Sequence, residues 1–139
     1  MQRLATWFLV LSLGCGVVGC FGDGLLRTQG RLLKGGDSFS AKVDEGEALQ
    51  ITYVPILPDG KPPSDHYYCD VDQDSGVFMP SGKNGKGMPA GKYRVAIELK
   101  KKKKDLFGGK FNDEQSPFIF DVDGSTKEIV IDLDEIPAS

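Results

Sequence analysis

Three aspartates at alternate positions, in Asp70-Val71-Asp72-Gln73-Asp74-Ser75-Gly76, give this 139-residue chain its clearest set of candidate ligands. Carboxylates spaced two apart around a tight loop converge on one hard cation, so the chemistry to weigh is weak calcium binding. The spacing departs from that of an EF-hand. Gly76 falls at loop position seven rather than six, and position twelve is Ser81 in place of a bidentate Glu. Alternate residues of an extended strand share one face. Asp70, Asp72 and Asp74 therefore read first as a wet strand edge running into a turn, and second as a calcium site. Asp59, Asp65 or Asp123 would join that site if the fold brought them near.

A second charged feature is the unbroken run Lys100, Lys101, Lys102, Lys103 and Lys104, followed by Asp105-Leu106-Phe107. Lysines at this density suit an anionic surface, whether phospholipid, lipopolysaccharide or an acidic polymer. Their commoner role is a solvated strand end whose charge discourages edge-to-edge pairing. Aromatic residues are not interleaved with them, as a single-strand nucleic-acid platform requires. The net charge of -3 and pI near 5.1 give no bulk attraction to nucleic acid.

Two other stretches imitate catalytic motifs and fail on residues. Gly82 to Lys92 is glycine-rich, but Lys86 stands where a phosphate loop needs Gly, and Tyr93 stands where Ser or Thr should follow the Lys. Gly36-Asp37-Ser38-Phe39 echoes the nucleophile block of GDSL-type hydrolases. Those enzymes need a late His three residues after an Asp, and the one His, His66, has Pro63 at that spacing. With a single His and so few thiols, nucleophilic or zinc catalysis has little raw material. No catalytic residue and no cofactor is expected.

The N-terminus is a different material. Arg3 supplies a positive start, and Leu4 to Val18 is almost wholly apolar or small. That run is short of the ~20 apolar residues of a membrane span and fits the core of an export signal. It ends in Val17-Val18-Gly19-Cys20, which resembles the bacterial lipobox, whose Cys is acylated and becomes the first residue of the mature chain. Cys15 is the weaker candidate, because Ser12 stands where an aliphatic residue is preferred. Phe21, in place of the Asp that retains such proteins in the inner membrane, leans toward the outer membrane. Ordinary secretion or an uncleaved anchor is the alternative. Removal of Cys15 and acylation of Cys20 leave Cys69 as the lone thiol, expected to be buried and inert.

These residues must be positioned by strands. Leu49, Ile51 and Tyr53 share one face. Tyr93 to Leu99 is apolar at each odd position, Phe118, Phe120 and Val122 alternate with Ile119 and Asp121, and Ile129, Ile131 and Leu133 alternate with Glu128, Val130 and Asp132. Period-two alternation marks sheets with one buried face. Weaker strands are predicted at 27–33, 39–43, 67–71 and 77–79. Gly35-Gly36-Asp37, Pro58-Asp59-Gly60, Asp74-Ser75-Gly76 and Asp123-Gly124-Ser125 supply turns. No helical period follows residue 20. The prediction is an all-β chain, a seven- or eight-stranded Greek-key β-sandwich spanning residues 27–136, behind a signal at 1–19 and a tether at 20–26.

Gly30-Arg31-Leu32-Leu33-Lys34-Gly35-Gly36, Asp74-Ser75-Gly76-Val77-Phe78 and Pro89-Ala90-Gly91-Lys92-Tyr93-Arg94-Val95-Ala96-Ile97 together resemble the transthyretin-like, or carboxypeptidase regulatory-like, β-sandwich domains of small lipoproteins abundant in planctomycete-type bacteria. The resemblance covers about residues 27 to 133. It implies a sandwich fold and a place in the cell envelope, and it implies no activity. The expectation is a membrane-anchored structural or interaction module whose partner is an envelope protein or polysaccharide. The alternative is an ion- or polyanion-binding lipoprotein using the aspartates or the lysines.

Overall fold

The computed structural model describes residues 24–40 and 46–137. The chain is all-β. In order the strands are β1 (Leu25–Leu26), β2 (Gln29–Lys34), β3 (Asp37–Ser38), β4 (Glu47–Pro55), β5 (Tyr67–Val71), β6 (Val77–Pro80), β7 (Met88–Pro89), β8 (Gly91–Lys101), β9 (Lys104–Asp105), β10 (Ile119–Val122) and β11 (Glu128–Asp132). Seven of these have four residues or more, the number the alternation predicts, and four are two-residue pieces that close turns or edges.

Long alternating segments pair first because each contact buries apolar area on one face. β4 and β8 form the spine, antiparallel from Glu47↔Lys101 to Pro55↔Tyr93. Leu49, Ile51 and Tyr53 thereby meet Leu99, Ile97 and Val95 on the same side. The strand path is β10-β8-β4-β5-β6-β2-β11, with β11 parallel to β2. β5 turns the corner. Tyr67 and Tyr68 pair with β4, whereas Cys69, Asp70 and Val71 pair with β6. One strand thus serves two faces, and Leu32, Phe78, Ile129 and Ile131 from one close over Ile51, Tyr53, Val95, Ile97 and Val122 from the other in a single core. A sandwich is compatible with this arrangement. β4, β5 and β6 follow one another and β8 returns beside β4, an order that a Greek-key path would also give.

Two turns show how local chemistry fixes the register. Gly35 and Gly36 both have positive φ, 61° and 84°, which a two-residue hairpin turn requires, and the Asp132 carboxylate accepts both their amides at 2.9 and 2.6 Å. The segment after β9 packs Phe107, Phe111 and Phe118 into the core as a run of ring contacts 5.5–5.6 Å apart. The Phe111 and Phe118 carbonyls accept the Ile97 and Val95 amides, so this irregular segment continues the sheet beside β8.

Several sequence expectations shift. Of the strand predicted at 39–43, Phe39 and Ser40 lie outside any strand, just after the two residues of β3, and 41–43 lie outside the described residues. Among the described residues pairing begins at Leu25, inside the expected tether, because Leu25 and Leu26 dock antiparallel on Pro89 and Met88. The only helical piece among the described residues is one 3-10 turn at Lys83–Gly85, and no helix there is long and apolar enough to cross a membrane.

Candidate functional site

The five lysines occupy one hairpin tip. Lys100 and Lys101 end β8, Lys102 and Lys103 form the two-residue turn, and Lys104 begins β9, with Lys100↔Asp105 and Lys101↔Lys104 as facing pairs. The base is clamped by Asp105, whose Oδ1 accepts the Leu99 and Phe107 amides at 3.1 Å each and whose Oδ2 accepts the Gly109 amide at 2.8 Å. Lys100 pairs with Glu98 at 3.3 Å and Lys101 with Glu47 at 2.8 Å. Among the described residues no carboxylate pairs with Lys102, Lys103 or Lys104. A shallow depression of about 430 Å³ lies over Lys101 to Lys104 and Leu106, which is 42% exposed.

The three aspartates are exposed, but β5 lies between β4 and β6 and is no sheet edge, and their groups are put to different uses. Asp70 is on β5, and the turn opens at Asp72, two residues earlier than Asp74-Ser75-Gly76 suggests. The Gly76 amide returns to the Asp72 carbonyl at 2.9 Å, and Asp72 Oδ1 accepts the Asp74 and Ser75 amides. Hydrogen bonds from Ser75 and from the Asp74 amide hold the Asp72 carboxyl below its usual range. Its Oδ1 is thus committed to the backbone of the turn. Among the described residues no three His, Cys, Asp or Glu side chains are grouped to hold a metal ion.

The residue between them does structural work that the sequence did not reveal. Gln73 Oε1 accepts the Leu49 amide at 2.8 Å and its Nε2 donates to the Leu49 carbonyl at 3.1 Å. Cys69 is half-buried, and burial pushes its thiol well above the ordinary range, with the Asp70 charge adding to the shift. That suppresses the thiolate, the reactive form. Ser38 is exposed in the short β3, and His66 is exposed just before β5. Cys20 lies outside the described residues.

A cleft of about 390 Å³ was not foreseen. One wall is Pro55 to Pro58, the other Pro89 to Lys92, and Tyr67 and Tyr93 line it edge to face, 6.0 Å apart at 84°. The Tyr93 hydroxyl donates to the Pro89 carbonyl at 2.7 Å. Burial pushes its phenol up to about 12, with Tyr67 adding to the shift. The prolines Pro55, Pro58 and Pro63 were the available signal, since a chain in which Pro ends the strand and recurs just beyond it leaves the sheet and builds a wall. Compared with protein-family models, with curated proteins and with solved structures, the chain matches none.

Proposed function

We propose that this chain is a lipid-anchored module of the bacterial cell envelope, non-catalytic, whose β-domain presents loops to another envelope component. The observation that carries this reading is the position of the first paired residues among those described. Leu25 and Leu26 follow Cys20 by only a few residues and dock on Met88 and Pro89, immediately before β8. A lipid on Cys20 would therefore hold the domain by one end. Five extended residues reach at most about 18 Å. The sequence supports the anchor through the apolar run that stops at Val17-Val18-Gly19-Cys20, and the resemblance to transthyretin-like lipoprotein domains agrees with an envelope location. Two or three acyl chains, at about 0.8 kcal/mol per buried methylene, make such attachment effectively permanent.

Metabolic labelling with a fatty acid, followed by membrane fractionation, tests the reading. The native chain and Cys15→Ser take up label and sediment with the outer membrane, while Cys20→Ser loses label and is released or mislocalised. An unlabelled native chain, or label retained by Cys20→Ser, overturns it.

A further inference from the structure

Lysine is not the residue the fold asks for at the tip of the β8–β9 hairpin. Lys102 has φ 57°, a left-handed conformation for which a two-residue turn ordinarily uses Asn, Asp or Gly. Lys101 and Lys104 stand directly opposite each other, and like charges facing across an antiparallel pair are destabilising, a cost the Lys101–Glu47 ion pair offsets in part. The Asp105 clamp fixes the base of the hairpin in spite of both costs. A local conflict of this kind, maintained on a firm base, is where function is expected to be found.

Charge and shape narrow the partner. Without Arg3 of the signal the mature chain carries -4, and with this run contributing +5 the remainder is -9. An anionic surface therefore attracts the tip and repels the body, which fixes a single orientation. The exposed Leu106 lies beside the lysines, and the lysine stems are themselves apolar, so the depression offers hydrocarbon ringed by ammonium groups. That combination suits the interface of an anionic bilayer better than a fully hydrated acidic polymer.

We propose that the Lys100–Lys104 hairpin, with Leu106, is a second membrane contact of this protein, docking on anionic phospholipid at the end of the domain opposite its anchored end. The inference rests on the membrane-anchored reading above. β8 starts next to the residues that receive Leu25 and ends at the tip, about 30 Å away at 3.3 Å per residue. Anchored at one end, the domain meets its own bilayer at high effective concentration, so a weak contact at the other end suffices to lay β8 along the surface. Each lysine close to an anionic surface strengthens binding about fivefold, and the three without a described carboxylate partner give about 100-fold.

The test uses the full chain as the cell processes it, reconstituted in vesicles, with Leu106→Trp; Trp7 leaves with the signal, so the tip holds the sole Trp. In vesicles containing phosphatidylglycerol, its emission shifts to the blue and is quenched by brominated lipid. Both effects are absent in pure phosphatidylcholine and vanish in about 0.5 M salt, where the Debye length shrinks to a few ångströms. Replacing Lys102→Asn, Lys103→Gly and Lys104→Gln keeps a favoured turn and lowers the docking constant about 100-fold. Equal quenching in neutral and anionic vesicles, no quenching in either, or no effect of the triple change overturns the proposal. So does tip-dependent binding of soluble polyglutamate without lipid quenching, which would identify a polymer as the partner. Failure of the lipid anchor at Cys20 is read separately, from the fatty-acid label.

Discussion

The side-chain amide of Gln73 pairs with both backbone groups of Leu49, accepting its N–H at 2.8 Å and donating to its C=O at 3.1 Å. A residue of the β5–β6 turn thereby acts as one more rung of the ladder along β4, tying the turn to the spine of the domain. Gln73→Ala leaves the nearly buried Leu49 with an amide and a carbonyl unpaired on that side. The expected loss is about 1–3 kcal/mol, measured by urea denaturation. Gln73→Glu keeps the acceptor but sets a carboxylate oxygen against the Leu49 carbonyl, so it is destabilising too. Equal stability of all three chains would show that the contact is not made in solution.

This relationship also marks the limit of what could be read from the sequence. The alternation at Leu49–Tyr53, Tyr93–Leu99 and Ile129–Leu133 was legible because period two reports directly on a one-sided buried face. Tyr67–Val71 was located to the residue for the same reason. In the Asp70–Asp74 loop the carboxylates drew attention as ligands, while Gln73, the residue reaching furthest, looked like a spacer. Its partner is 24 residues away, and no local pattern encodes which strand a turn will lean on. The lysine run was legible as a charged strand end. Its opposition to the anchored end was not, because that depends on Leu25–Leu26 docking beside Met88–Pro89.

Gly30 faces Phe78 across the β2–β6 pair, and the Phe78 ring lies over it where a Cβ would be. Propensity alone predicts that Ala stabilises a strand relative to Gly. The packing predicts the reverse. Gly30→Ala drives the buried Phe78 ring from its seat and costs about 1–3 kcal/mol in chemical denaturation. Combined with Phe78→Leu, its additional cost shrinks, because the two positions compete for one space. Strict additivity would argue against that competition.

Two tyrosines differ in one hydrogen bond. The Tyr53 hydroxyl is buried with no partner among the described residues, whereas that of Tyr93 donates to the Pro89 carbonyl. Tyr53→Phe therefore leaves stability unchanged or raises it by about 1 kcal/mol, since it removes an unmet desolvation cost. Tyr93→Phe lowers it by about 1 kcal/mol and loosens one wall of the cleft. Melting temperatures of the two single variants decide the matter, and a larger loss for Tyr53→Phe contradicts the assignment.

Acid stability turns on three exposed carboxyls. Asp72 is bonded by Ser75 and the Asp74 amide, Asp123 by the hydroxyl and amide of Ser125, and Asp132 by the amides of Asp134, Gly36 and Gly35, and each is held below its usual range. A carboxyl depressed in the folded chain binds its proton more readily when unfolded, at a pKa of about 3.9. The stabilisation is complete above that value and is lost as pH falls through the lower, folded pKa values. Melting temperature should accordingly hold between pH 5 and 8 and drop below about pH 4. At the alkaline end the sign reverses. Burial raises Tyr93 to about 12, so its contribution is complete below the unfolded value of about 10 and disappears as pH climbs toward 12. A chain carrying Asp72→Asn, Asp123→Asn and Asp132→Asn should start less stable at pH 7 and show a shallower acid limb with its alkaline limb unchanged. An acid limb as steep as that of the native chain would assign the acid sensitivity to other groups.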